Sequence, residues 1–395
     1  MHDWKSLLQF CITEKQTVVC QMRIEGITVE SIAQELKITE RNIRNICARI
    51  RKYAALNGYA PEYDLTHATA PGQVLKGTST LYDADGAQRL QWVKTNADKN
   101  AQLEMLREAI TTIADDIKPV NPVKPPIFSN DQLLCVYPMG DPHVGMYAWA
   151  EESGEDFDVD IARSDLKSAM QYLSDNTPAS ERAIIVNLGD FFHADNANSR
   201  TKSGNVLDTD TRWARVLELG ILAMVDCIDI ARKKHKHVDV YNAIGNHDEH
   251  SSIMLALCLK AWYRNEPRVN IMDTAAKHHY IRFGKVLIGI THGDTIKRGG
   301  SGLDALMAAD KPEDWGKSTK RYWYTGHIHS TNRAELTGAT WESFRNLAGN
   351  DSWHQGQGYR SGRDMVAIVH HHDHGEVARA TCDISIVRSE NERIR

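Results

Sequence analysis

An α/β fold is expected for this 395-residue chain, and two observations predict it. Five apolar or aromatic runs, at residues 133–137, 183–186, 238–241, 286–290 and 322–324, have the length and side-chain type of buried strands. Each run is followed by a polar cluster: Asp141-Pro142-His143, Gly189-Asp190-Phe191-Phe192-His193, Gly245-Asn246-His247-Asp248, Thr291-His292-Gly293-Asp294 and Gly326-His327-Ile328-His329. Polar groups that recur at strand ends meet in space, because α/β sheets bind ligands outside the carboxyl ends of their strands. The glycines beside the clusters (Gly140, Gly145, Gly189, Gly245, Gly293, Gly326) permit tight turns, often with positive φ.

A lone Asp-x-His or Gly-His-x-His is more often a capped loop than a metal site. Five clusters in series, each at a strand end, point instead to one converging centre. Its donors are carboxylate oxygen, imidazole nitrogen and one amide oxygen. That set suits two divalent ions, Mn²⁺ first with Fe or Zn²⁺ as alternatives, and does not need cysteine.

The series resembles the calcineurin-like metallophosphoesterase superfamily, whose pattern runs D-x-H, G-D-x-x-D/H, G-N-H-D/E, an isolated H, then G-H-x-H. The match spans about residues 133–386. The resemblance implies a four-layer αββα sandwich and a two-metal hydrolase. It assigns Asp141, His143, Asp190 and His329 to one metal, and Asp190, Asn246, His292 and His327 to the other, with Asp190 bridging. His247 would then protonate the leaving oxygen, Asp248 would orient it, and His193 would be a second phosphate-facing imidazole. The His closing Gly-Asp-Phe-Phe-His is similar to the nuclease subunit of double-strand-break repair complexes. Beyond residues 360–363, however, the chain has little room for the DNA-binding cap those nucleases carry.

Ahead of this block the chain is locally basic, although its net charge is −5. Residues 27–36 read as a short helix entered at Thr28. A turn at 37–39 and a second helix over 40–56, capped by Thr39, complete a helix-turn-helix pattern. Ala33, Leu36, Ile38, Ile43, Ile46 and Ile50 would face inward, and Arg41, Asn42, Arg44 and Asn45 outward, where a recognition helix meets DNA. Alternating runs over 74–94 predict a β-hairpin, followed by a helix over 96–117 and a proline-rich spacer over 118–126. Three domains are therefore expected: 1–60 helix-turn-helix, 61–130 hairpin, helix and linker, and 131–395 catalytic. Asp210 is a candidate cap for a helix starting near Thr211.

His370-His371-His372-Asp373-His374 continues an apolar run and reads as surface histidines at a hairpin tip, and His235, His237, His250, His278 and His279 take the same default. Seven scattered cysteines indicate a reducing compartment, no stretch approaches a membrane span, and the N-terminus lacks a signal-peptide pattern. A cytoplasmic protein is expected. A helix-turn-helix joined to this block resembles phosphoesterases encoded by phages and prophages, which implies the cytoplasm of a bacterial or phage-infected cell. The foremost functional expectation is a metal-dependent DNA nuclease; the alternative is a phosphodiesterase or phosphatase acting on a nucleotide or phosphoprotein. A non-catalytic DNA-binding regulator fits least, because the ligand set is complete. DNA is the expected partner, no membrane is expected, and a homodimer is left open.

Overall fold

A computed structural model describes residues 4–61, 65–66, 73–83, 88–97, 120–196, 199, 207–349, 356 and 361–394. Two compact units emerge, Met1–Glu108 and Ala109–Arg395.

The first unit opens with helices α1 (Trp4–Leu7), α2 (Glu14–Ile24), α3 (Val29–Glu35) and α4 (Glu40–Leu56). Thr28 and Thr39 accept hydrogen bonds from the Ser31 and Asn42 N–H groups, so both expected caps are present. Lys37, at φ 53°, turns the chain between α3 and α4. Ile32, Ala33 and Ile43 are buried with Val19, Met22 and Cys47, while Leu36, Ile38 and Ile46 are only partly covered. The first two helices were not anticipated. The signal for α2 is Thr13-x-x-Gln16, in which Thr13 caps the Gln16 N–H and the Gln16 side chain accepts from Ile12 N at 2.8 Å. The short strands β1 (Tyr59–Ala60) and β2 (Leu65–Thr66) pair, and β3 (Gln73–Tyr82) and β4 (Gln88–Ala97) form the expected hairpin. Asn96 and Ala97 belong to β4; the rest of the helix expected over 96–117 lies outside the described residues.

In the second unit, the chain order is β5 (Asn130–Met139), α5 (Val159–Asp175), β6 (Ser180–Asn187), α6 (Trp213–Lys234), β7 (His237–Asn242), α7 (Ser251–Trp262) and β8 (Val269–Met272). Then come β9 (His279–Phe283), β10 (Val286–Ile290), α8 (Leu303–Asp310), α9 (Pro312–Lys317), β11 (Lys320–Thr325), β12 (Asn332–Glu335), β13 (Thr340–Ser343), β14 (Asp364–His371), β15 (Gly375–Asp383) and α10 (Ile384–Ile394). They build a six-stranded sheet, ordered β15-β14-β5-β6-β7-β8, and a five-stranded sheet, ordered β12-β13-β11-β10-β9. Strands β5 to β8 are parallel, as are β10, β11 and β13.

Both faces of the central strands are covered, which explains their unbroken apolar runs. Leu134, Val136, Ile184, Val186, Ile288, Ile290 and Tyr324 fill the layer between the sheets. Their neighbours Cys135, Tyr137, Ala183 and Ile185 point the other way, into a core shared with α5, α6 and α7. Leu287 and Trp323 likewise face α8. Each fully buried branched side chain contributes about 1.5–3 kcal/mol, so a one-residue slip in β10 would forfeit several at once. The αββα sandwich expected for this block is present.

Three histidines expected at the surface are buried. His235 is 0% exposed, with Nε2 2.8 Å from the Tyr137 hydroxyl and Nδ1 2.8 Å from Ser180 Oγ. His370, also 0% exposed, bonds Tyr324 Oη at 2.8 Å, and His279 is buried as well. Each sits beside an aromatic partner far away in sequence, which local patterning does not reveal. Asp210 does not cap α6, whose N-cap is Arg212 without a side-chain bond; it accepts instead from Val159 N at the start of α5.

Candidate metal centre

All five polar clusters lie just past the carboxyl ends of strands: β5, β6 and β7 of one sheet, and β10 and β11 of the other. Among the described residues, five of the seven non-glycine residues with positive φ are expected ligands: Asp141, His143, Asp190, His327 and His329. Such backbone costs about 1–3 kcal/mol per residue and persists where the surroundings over-determine it.

Two donor groups form. Asp141, His143 and His329 offer ligand atoms within 4.8 Å of one another, and so do Asp190, His292 and His327. Asn246 joins the second group, its Oδ1 3.0 Å from His292 Nε2. The groups adjoin, since Asp141 Oδ1 is 3.7 Å from His292 Nδ1. Every expected ligand therefore lies in or beside one cluster. Asp190 Oδ2 is 3.2 Å from His292 Nε2 while Oδ1 accepts the His247 N–H at 2.8 Å.

The donors fit divalent cations. His292 donates Nδ1–H to the Leu188 carbonyl at 3.0 Å, which turns Nε2 toward two acceptor oxygens, Asn246 Oδ1 and Asp190 Oδ2. Either a proton or a metal ion must sit among three such atoms. Burial would push the His292 pKa down, but Asp190 and then Asp141 raise it to about 10, the same pull those carboxylates would exert on a cation. His143 Nε2 and His329 Nε2 are 3.1 Å apart with Asp141 Oδ1 3.7 Å from the latter, again lone pairs aimed at one point. Asp141 and Asp190 are buried, and uncompensated carboxylates there would be expensive. Burial would raise Asp190, yet its bond to His292 and the charges of His292 and His247 hold it below the usual carboxylate range.

The glycines act less through φ than expected. Gly145, Gly189 and Gly293 have positive φ. At Gly245 and Gly326 close approach decides: a Cβ would lie 2.0 Å from Asp190 Oδ1 in the first case and 2.5 Å from Asp141 Oδ2 in the second.

His193 and His247 complete a third group with His143, again within 4.8 Å. The His193 and His247 rings stack, with centroids 5.6 Å apart. His247 Nδ1 donates to the His193 carbonyl at 2.9 Å, so the ring is oriented by backbone and not by Asp248. Asp248 accepts instead from Gly245 N and Phe192 N, tying the two loops together; burial and then the Asp190 charge raise its pKa. Asp195, which carries no motif signal, accepts from four donors of the His250-Ser251 turn. Arg41, Asn42, Arg44 and Asn45 are exposed on α4, in the other unit, where Arg44 pairs with Glu40 at 2.7 Å.

No family model matches the sequence, and no curated protein matches it significantly. Similar solved structures include a novel archaeal phosphodiesterase, 12% identical over 63% of this chain and 99% of its own, with a TM-score of 0.32. Another is YfcE, a phosphoesterase from E. coli, 12% identical over 62% of this chain and 98% of its own, with a TM-score of 0.31. A third is Vps29 complexed with Zn²⁺ from Entamoeba histolytica, 13% identical over 63% of this chain and 99% of its own, with a TM-score of 0.26.

Proposed function

We propose that this chain is a metal-dependent phosphodiesterase of the calcineurin-like type whose substrate is DNA. The convergence of Asp141, His143 and His329 with Asp190, Asn246, His292 and His327, beside two further imidazoles, carries this reading. Two divalent cations held there, Mn²⁺ first, would offset phosphate charge and make water a competent nucleophile at neutral pH. With Nδ1–H committed to the His193 carbonyl, His247 has Nε2 left to exchange a proton. As the water oxygen bonds to phosphorus, the phosphorus–oxygen bond to the leaving group breaks and that oxygen takes the proton from His247 Nε2. The surplus proton of the water passes to solvent, and solvent reprotonates Nε2. His193 supplies a second imidazole toward the phosphate. Burial of the carboxylates strengthens every charge interaction in the centre.

DNA is favoured over a small nucleotide because α4 exposes Arg41, Asn42, Arg44, Asn45, Arg49 and Lys52 along one capped helix. The test is a panel with Mn²⁺: linear, circular and single-stranded DNA, a cyclic dinucleotide, a phosphopeptide and a small chromogenic diester. DNA should be cleaved. Replacing Arg41 and Arg44 with Ala should weaken DNA binding and lower its log–log salt slope by about one per lost phosphate contact, with small-diester hydrolysis unchanged. Cleavage of the cyclic dinucleotide or phosphopeptide alone would move the substrate to that class.

A further inference from the structure

Two loops meet at the His247 ring, and a second contact locks them a few residues further on. Asp195 Oδ1 accepts from Ser251 N at 2.8 Å, Ser251 Oγ at 2.9 Å and His250 N at 3.0 Å, while Oδ2 lies 2.5 Å from His250 Nδ1. This carboxylate sits two residues beyond His193, and its partners three and four residues beyond His247. It also faces the first turn of α7, where the helix dipole favours negative charge. The His193 carbonyl that orients His247 is thus bracketed: Asp248 joins the loops on one side through Phe192 N and Gly245 N, and Asp195 joins them on the other.

We propose that Asp195 is a positioning residue for proton delivery: by clamping the His250-Ser251 turn to the His193 loop, it holds the His247 imidazole on the His193 carbonyl with Nε2 toward the metal centre. Charge-assisted bonds of this kind are about twice as strong as neutral ones, and four of them restrain a turn that one carbonyl–imidazole bond would not. Neither Asp195 nor His250 belongs to the donor groups formed by Asp141, His143 and His329 or by Asp190, His292 and His327. Loosening the clamp therefore impairs protonation of the leaving oxygen and spares the cations. The inference rests on the phosphodiesterase reading above.

The test uses the full chain loaded with Mn²⁺ and two diesters differing only in leaving group, 4-nitrophenolate against an alkoxide. Asp195→Ala should retain the parent's metal content, lose at least about tenfold in kcat on the alkoxide and change less than about threefold on the nitrophenolate, which needs no proton. In a His247→Asn background the same change should add nothing, because residues acting through one group are not additive. Asp195→Asn, which keeps one acceptor oxygen for the N–H groups, should fall between parent and Ala. If Asp195→Ala does not fold, His250→Ala removes one contact of the clamp and should show the same leaving-group split. Equal losses on both diesters, or full additivity with His247→Asn, would overturn the proposal. A parent enzyme inert toward both diesters would instead refute the phosphodiesterase reading on which it stands.

Discussion

Asp190 shows how closely single residues constrain the centre. Its Oδ1 lies against the Gly245 backbone and its Oδ2 against His292, so the position of Gly245 has no room for even a methyl group. Gly245→Ala would place Cβ 2.0 Å from that carboxylate oxygen and 2.2 Å from the Asp190 nitrogen. Backbone cannot swing aside as a side-chain tip can. The substitution should cost about 1–3 kcal/mol of stability and most of the bound metal, measured by elemental analysis and chemical unfolding. Gly316→Ala in α9 is the contrast: nothing lies within 4 Å of its Cβ, and metal content there should match the parent. The motif glycines were visible in the sequence. That Gly245 and Gly326 serve close approach, and that five candidate ligands themselves take positive φ, was not, because both depend on loops from different strands.

At the scale of elements, strands were the most legible feature. A run buried on both faces is a local signal, and all five expected strands lie within observed ones. The caps at Thr28 and Thr39 are equally local. Isolated polar residues were not legible, because their partners lie far along the chain: His235 bonds Tyr137, 98 residues away, His370 bonds Tyr324, and Asp210 holds α5 and not α6. The two buried histidines have a measurable consequence. Burial lowers the pKa of each from 6.5 to about 4, so the unfolded chain binds protons first as the pH falls. Their stabilising contribution is complete above about pH 6.5 and is lost progressively toward pH 4. At about 1.4 kcal/mol per pKa unit, each removes up to about 3 kcal/mol across that window. Urea unfolding at pH 7 and pH 4.5 should show the fall, and His370→Gln should be less stable than the parent at pH 7 yet lose less on acidification. An unchanged pH slope in the variant would contradict the assignment.

For the whole molecule, the sandwich brings the carboxyl ends of strands from two sheets to one place, and the candidate ligands are divided between them. Neither sheet alone holds a complete donor group: Asp141 and His143 follow β5 whereas His329 follows β11, and Asp190 follows β6 whereas His292 follows β10. Metal binding should therefore couple to the packing of the sheets on each other. Among the described residues, no helix is long and apolar enough to cross a membrane. Under the proposed function, these residues form a two-cation centre on which diester hydrolysis depends. Its most direct test is to strip the protein of metal, titrate Mn²⁺ back while following bound metal and hydrolysis of a small diester, and repeat with Asp190→Asn. Two ions per chain should bind, with activity rising only as they load, and the variant should lose both metal and activity. Full hydrolysis by the stripped protein, or an Asp190→Asn variant that keeps two ions and normal turnover, would contradict the account.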